Sequence, residues 1–274
     1  MAQISYTKMT GLGNDFMVMK GAPVPAAQDI RRLADENAGV GFDQLLWLDN
    51  PRNDSEEIFY RVFNADGGEV EQCGNGARCI LRYVAGDSQD TERVWRLGFP
   101  GGVIEGQLLA DGDVAVAMAE PQFAPASLPF VAEQEAGAYE IVVGDQRVTV
   151  QIASMGNPHA VLDVDDVDTA PVDKLGPILE SHERFPNRAN IGFRQFVASD
   201  RIRLRVYERG VGETLACGTG ACAAVVTAQR DGRLAAEVTV EVPGGELRVR
   251  WAGAGTPVWL IGAADTISEG VIDL

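Results

Sequence analysis

The chain has 274 residues, 46 % of them apolar and 23 % charged. That is ordinary for a soluble globular protein of one large or two medium domains, and it excludes disorder, collagen and coiled coil. Forty acidic against 23 basic side chains leave a formal net charge of −17, a field that repels phosphate backbones and anionic lipid, so neither nucleic acid nor a membrane is an expected partner.

In chain order, periodicity predicts a helix over 28–37, a strand over 58–63, a helix over 75–85 and a strand over 114–118. Strands over 139–143 and 148–153 precede a helix over 172–182, a strand over 202–207 and a helix over 219–230. Strands over 238–242, 247–251 and 258–261 follow. Strands and helices do not alternate regularly, which disfavours a doubly wound parallel sheet. The helix from 219 is apolar on most sides (Ala221, Ala223, Ala224, Val225, Val226) and should be buried. A sheet wrapped around one central helix is the simplest arrangement. No apolar run approaches the roughly 18 residues of a membrane span, and the first residues lack a signal-peptide core. Four cysteines are too few for a disulfide scaffold. A cytoplasmic protein with reduced thiols is expected.

The chain repeats itself. RVFNADGGEVEQCGNGA (61–77) aligns without a gap over RVYERGVGETLACGTGA (205–221), with Arg61, Val62, Gly68, Glu69, Cys73, Gly74, Gly76 and Ala77 each meeting an identical residue 144 positions later. Gly13-Asn14 answers Gly156-Asn157, Pro100-Gly101-Gly102 answers Pro243-Gly244-Gly245, and Gln44 falls near the counterpart of Asn190. Anchors in the same order at nearly one offset point to an internal duplication. The expected units are 1–118 and 119–262, with a tail over 263–274 returning to the first.

In each copy a cysteine precedes Gly-x-Gly where a strand gives way to a helix. Glycines let a ligand approach the backbone, and the first N–H groups of the helix favour an anion such as a carboxylate. The same dipole is expected to lower the pKa of the adjoining thiol. Paired across a pseudo-two-fold axis, Cys73 and Cys217 would flank one carbon acid, one sulfur removing a proton and the other delivering one. That inverts a stereocentre without metal, flavin or pyridoxal phosphate. The spacings Cys73/Cys79 and Cys217/Cys222 are wrong for zinc knuckles, Cys73 to Arg78 is one residue short of a phosphatase loop, and Gly11-Leu12-Gly13 lacks a dinucleotide context. Cys79 and Cys222 read as core residues. His159, in the loop Ser154-Met155-Gly156-Asn157-Pro158-His159, is either an active-site group or a structural one, and His182 reads as a solvated surface residue. Glu208 and Arg209 stand where the first copy has Asn64 and Ala65. They are either surface charges or the sign of an asymmetric ligand.

The motifs Gly11-Leu12-Gly13-Asn14-Asp15-Phe16, Gly41-Phe42-Asp43-Gln44, Phe63-Asn64-Ala65-Asp66-Gly67, CGNGAR from Cys73, Ser154-Met155-Gly156-Asn157-Pro158-His159 and Glu208-Arg209-Gly210 with ACGTGACA together resemble the diaminopimelate epimerase family over essentially the whole chain. The resemblance implies an α+β fold of two pseudo-symmetric halves, each a β-sheet or roll around a central helix, with the active site in the cleft between them. It implies a homodimeric, cofactor-independent, metal-free isomerase that interconverts LL- and meso-2,6-diaminopimelate in lysine and cell-wall precursor synthesis. On this resemblance Cys73 and Cys217 are the acid/base pair, and His159 and Glu208 tune proton transfer. Gly74, Asn75, Gly218 and Thr219 cradle the reacting carboxylate, while Glu208 also holds the reacting ammonium. Asn14, Gln44, Asn64, Asn157, Asn190 and Arg209 read the distal end. Thr10 and Ser268 depart from the family pattern, where relatives often have His and an aromatic. A proline-type racemase, a phenazine-type isomerase, a non-catalytic amino-acid binder and a thiol redox protein are the competing readings.

Overall fold

The computed structural model describes residues 3–21, 23–70 and 73–273; Gln72, which precedes the first cysteine motif, lies outside them. The chain divides into two compact units, Met1–Ala117 with Ile261–Leu274, and Met118–Leu260.

The first unit opens with the antiparallel pair β1 (Gln3–Gly11) and β2 (Asn14–Lys20). Leu12 (φ 56°) and Gly13 (φ 76°) join them. Two successive left-handed residues make the turn whose twist suits a two-residue hairpin, so Gly11-Leu12-Gly13 is a strand reversal. After α1 (Ala27–Ala34), β3 (Gln44–Asp49) runs parallel to β2, and β4 (Ile58–Asn64) returns antiparallel with Gln44 opposite Asn64. The short β5 (Glu69–Val70) hairpins back on β4 and leads to α2 (Gly74–Ala85). Then β6 (Trp95–Phe99) lies parallel to β4, and β7 (Gly102–Leu108) and β8 (Val114–Ala117) continue antiparallel.

The second unit repeats this order. β9 (Tyr139–Val143) pairs with β10 (Gln146–Ser154), which hairpins to β11 (Pro158–Asp163). α3 (Val172–Glu180) leads to β12 (Asn190–Ala198), parallel to β11 with His159 opposite Asn190. β13 (Arg201–Glu208) and β14 (Gly212–Thr214) form the hairpin before α4 (Gly218–Arg230). β15 (Glu237–Val242) is parallel to β13, and β16 (Gly245–Trp251) is antiparallel to β15. In β17 (Val258–Gly262) the chain passes back into the first unit, where β18 (Asp265–Asp273) pairs antiparallel with β1. β18 thereby does for β1 what β9 does for β10. The duplication predicted from sequence is thus a duplication of strand order, direction and register.

Each unit is built around the helix that follows its cysteine. From Gly220 to Ala228 every residue of α4 is buried, and its alanines let the strands of the sheet approach closely. The opposite face of each sheet packs on the other helix. Met17, Met19, Leu45 and Trp47 meet Ile30 and Leu33 of α1, and Ile152, Leu162 and Ile191 meet Val172 and Leu179 of α3. Strands buried on both faces read as continuous apolar runs, as Leu45–Leu48 does. Each such buried side chain contributes roughly 1.5–3 kcal/mol. β13 instead alternates, with Ile202, Leu204 and Val206 inward and arginines outward.

The identical residues of the repeat have a structural reason. Arg61 grips Glu69 through two bonds of 2.7 and 2.6 Å, and Arg205 grips Glu213 through two of 2.6 and 2.8 Å. Each fork ties together the hairpin that delivers the cysteine. The predicted helix over 28–37 ends at Ala34, because the Asp35 carboxylate accepts from the N–H groups of Asn37 and Ala38, both at 2.8 Å, and turns the chain out of the helix. The helix over 172–182 likewise stops at Glu180. His182 is half-buried rather than fully solvated, with Nε2 donating to the Val142 carbonyl at 3.2 Å.

Candidate active site

In the first unit Cys73 is the N-cap of α2, in extended conformation, and its sulfur accepts from the Gly76 N–H at 3.5 Å. Gly74 opens the helix. Asn75, buried, donates to Asn14 Oδ1 at 3.0 Å, and Asn14 donates to Asp43 Oδ2 at 3.2 Å. Asp43 also takes the Asp15 N–H at 2.9 Å, so an acid that sequence reasoning passed over anchors this pair. Gln44 donates to Asn64 Oδ1 at 2.9 Å across the β3–β4 register. Asn75 Oδ1 is buried with no donor among the described residues. Cys79, on the inner face of the helix, is pushed up to about 12 chiefly by burial, as an inert core thiol should be.

In the second unit Cys217 caps α4 in the same extended conformation and is 5 % exposed. Its sulfur lies 3.1 Å from Glu208 Oε2 and 3.7 Å from Thr219 Oγ1. Glu208 Oε1 accepts from the Thr214 hydroxyl at 2.6 Å. Burial, and after it the Glu208 carboxylate, hold the Cys217 thiol well above its ordinary value, against the smaller opposing pull of Thr219 and the Gly220 N–H. This corrects the expectation of a lowered thiol pKa at this helix end. The dipole acts in the predicted sense, but desolvation of the charged form and a neighbouring anion outweigh it.

His159 is 1 % exposed and its pKa falls to about 3, first through burial and then through the Arg209 charge, so the ring is neutral. Its Nε2 is 2.9 Å from Asn157 Oδ1, while Asn157 Nδ2 donates to Thr219 Oγ1 at 3.3 Å. With the amide so assigned, Nε2 carries the ring proton. His159, Asn157, Thr219 and Cys217 therefore form one connected chain of contacts. Asn190 bonds backbone on both sides, donating to the Pro158 carbonyl at 3.1 Å and accepting the Arg209 N–H at 2.9 Å. The exposed Arg209 guanidinium reaches the Asn187 carbonyl at 3.2 Å. The buried Glu180 takes the Gly210 N–H at 2.8 Å and Arg188 at 3.3 Å, pinning the turn after Glu208. Nothing local in the sequence marked Glu180 or Thr214 for these tasks.

The second glycine of each motif, Gly76 and Gly220, differs from expectation. A side chain at Gly76 would meet Leu46 and Phe16, and one at Gly220 would meet Val206 and Cys217. These two glycines let the helix close on the sheet; Gly74 and Gly218, two residues earlier, are the first residues of the helices. Among the described residues no cluster of metal-ligating side chains occurs, and no helix is long and apolar enough to cross a membrane.

The family model described as diaminopimelate epimerase matches residues 6–124 and 151–267. A diaminopimelate epimerase of Laribacter hongkongensis is 52 % identical over 277 residues, covering 99 % of this chain and 100 % of the relative. One of Pseudomonas aeruginosa (strain UCBPP-PA14) is 51 % identical over 274 residues, covering 99 % of each. Among solved structures, a hydroxyproline epimerase of Agrobacterium vitis superposes with a TM-score of 0.69 at 15 % identity, over 98 % of this chain and 92 % of that one. A phenazine biosynthesis protein of Bacillus anthracis gives 0.67 at 14 %, over 100 % of each; at such identities these neighbours share the duplicated α+β fold alone. Two cysteine-capped helices in a duplicated frame, together with half-identity to these relatives over nearly the whole length, settle the assignment: the chain belongs to the diaminopimelate epimerase family.

Proposed function

We propose that the chain interconverts LL- and meso-2,6-diaminopimelate, supplying lysine and cell-wall precursor synthesis, with Cys73 and Cys217 as the two acid/base groups, one from each copy of the repeat. The observation that carries the reading is that each copy ends its β-hairpin on a cysteine that caps the buried central helix. The helix N–H groups beyond Gly74-Asn75 and Gly218-Thr219 then receive the reacting carboxylate, whose negative charge grows as the α-proton leaves. Cys217, kept protonated by burial and by Glu208, is the resting acid, and Cys73 is the base.

In the forward step the Cα–H bond breaks and its proton passes to the Cys73 sulfur. The electron pair enters the substrate carboxylate system, and Cys217 delivers its proton to the opposite face. The sulfurs end with exchanged protonation, which is the starting state for the reverse reaction. Glu208, 3.1 Å from Cys217, attracts the substrate α-ammonium. Asn14, Gln44, Asn64, Asn157, Asn190 and Arg209 select the distal amino acid end, and neutral His159 steadies Asn157 and Thr219. No pyridoxal phosphate, flavin or metal enters the scheme. The reading includes a homodimer, which the resemblance to the family implies, acting in the cytoplasm.

The test is α-proton exchange in D2O, with proline as control. Diaminopimelate should take up deuterium at one stereocentre with inversion, and proline should not. Absence of exchange in diaminopimelate would overturn the assignment.

A further inference from the structure

We propose that Thr214 is a positioning residue for this isomerisation: its hydroxyl holds one oxygen of Glu208 so that the other faces the Cys217 sulfur. The inference rests on the proposed two-base reading for its consequence in catalysis, and on geometry for the contact itself. Thr214 Oγ1 donates to Glu208 Oε1 at 2.6 Å, the length of a charge-assisted O–H···O⁻ bond, and Glu208 Oε2 lies 3.1 Å from Cys217 Sγ.

The β13–β14 register explains how a threonine reaches the carboxylate. Val206 stands opposite Thr214 and Glu208 opposite Gly212, so Glu208 and Thr214 are diagonal neighbours on one face, within reach of a long side chain. Gly212 (φ 109°) has no Cβ to stand between them.

The other copy of the repeat supplies an internal control. The positions matching Glu208 and Thr214 are Asn64 and Val70. Asn64 is held instead by Gln44, at 2.9 Å, and Val70 has no hydroxyl to offer. In the second copy the counterpart of Gln44 is Asn190, which is turned to the backbone of Pro158 and Arg209. The hydroxyl therefore occurs only in the copy that carries the carboxylate, where no side chain from β12 takes the same part. A carboxylate freed from Thr214 would lose its fixed orientation, and with it the constant distance to the sulfur on which proton delivery depends.

The experiment is a double-mutant cycle. Thr214→Val keeps the branched shape and removes the hydroxyl, Thr214→Ser keeps the hydroxyl, and Glu208→Gln removes the charge. Diaminopimelate turnover is followed together with the alkylation rate of Cys217 by iodoacetamide, read by peptide mapping. Thr214→Val should lower kcat about 10-fold, the loss of one hydrogen bond to a charged group, with KM within about 2-fold. It should also speed alkylation of Cys217, because a mobile carboxylate no longer opposes the thiolate. Thr214→Ser should restore both. In the Glu208→Gln background Thr214→Val should change neither further. Additive effects, or an alkylation rate that does not move, would overturn the proposal. If the wild-type chain fails to turn over diaminopimelate, the functional reading fails while the alkylation cycle still decides the contact. Should Thr214→Val not fold, the comparison of Thr214→Ser with Thr214→Ala carries the same decision.

Discussion

One methyl group, added at equivalent places in the two copies, should damage different properties. At Gly220 an alanine Cβ would lie 3.0 Å from Val206 Cγ2 and 3.2 Å from both Cβ and Sγ of Cys217. These distances are shorter than an ordinary carbon contact, so a neighbour must yield by a few tenths of an ångström. Val206 is buried in β13, and part of the displacement must fall on the sulfur. The backbone at Gly220 is helical, so alanine gains about 0.5–1 kcal/mol of propensity. That offsets much of an overpacking cost of about 1 kcal/mol, and the melting temperature should move by no more than about 4 °C. Turnover should suffer far more. A 1 Å misplacement costs about 10²-fold, so a shift of part of that should lower kcat by roughly 10-fold. At Gly76 the added Cβ would lie 2.9 Å from Leu46 Cδ2 and 3.4 Å from Phe16 Cε1, and only at ordinary contact distance, 3.5 Å, from Cys73 Cβ. Leu46 and Phe16 are fully buried, and the approach is closer than at Gly220. The overpacking cost of about 1–3 kcal/mol should therefore exceed the same helical gain of about 0.5–1 kcal/mol, and Gly76→Ala should lose stability while leaving kcat of the folded enzyme near wild type. Steady-state kinetics and thermal unfolding of both variants decide. A Gly220→Ala enzyme with undiminished kcat, or a Gly76→Ala enzyme of unchanged stability, would refute the reasoning.

Cys73→Ala and Cys217→Ala should each lower epimerisation by at least about 10²–10⁴-fold with the circular dichroism of the folded chain retained, whereas Cys79→Ala, in the core, should lose about 1 kcal/mol of stability and keep its turnover. Arg209→Ala should raise KM for diaminopimelate more than it lowers kcat; kinetics in both directions check this, and a pure kcat loss would contradict a role at the distal carboxylate. His159 gives a pH signature. Its folded pKa of about 3 lies below the ordinary 6.5, so below that ordinary value the unfolded chain binds the proton that the folded chain refuses. The contribution of His159 is therefore whole above pH 6.5 and is lost as pH falls toward 3, by up to about 1.4 kcal/mol per pH unit. His159→Gln should flatten that part of the stability curve in denaturant titrations; an unchanged slope would mean that the ring is accessible to protons.

Much of this was legible in the chain itself, for identifiable reasons. The repeat stood out because the residues that build each cysteine hairpin, the Arg61–Glu69 and Arg205–Glu213 forks and the CGxGA turns, are the same residues in both copies. Helices α2 and α4 were readable within a residue because their starts are marked by glycine and their interiors are apolar. Several strands were less so. β2 and β3 are buried on both faces, which erases the period of two; β5 and β14 are too short to have a period; β18 is largely exposed and polar. At Cys217 the sequence marked the helix end, but the balance of forces on the thiol depends on how deeply it is buried, and burial is a property of the packed unit. Glu180 and Thr214 escaped notice because their partners are Gly210 and Glu208, and neither spacing forms a motif.

The proposed two-base reading gives the divergence of the two copies a chemical reason. Two identical halves would put the same group beside both sulfurs. On that reading a carboxylate in each would favour protonated sulfur in both copies and leave no base, and an amide in each would leave burial alone to hold the Cys217 thiol protonated and no anion to attract the α-ammonium. The chain instead has Asn64 in one copy and Glu208 in the other, within hairpins whose bidentate forks are the same. The fork fixes where the cysteine sits and so resists change. The residue at position 64 or 208, at the turn end of the hairpin strand, sets the local charge without disturbing that geometry, and Thr214 is bonded to the carboxylate in the copy that carries it. The two copies thus differ in side chains at the strand ends while their strand order, direction and register agree, and on the proposed reading that difference is what would make one sulfur the acid and the other the base.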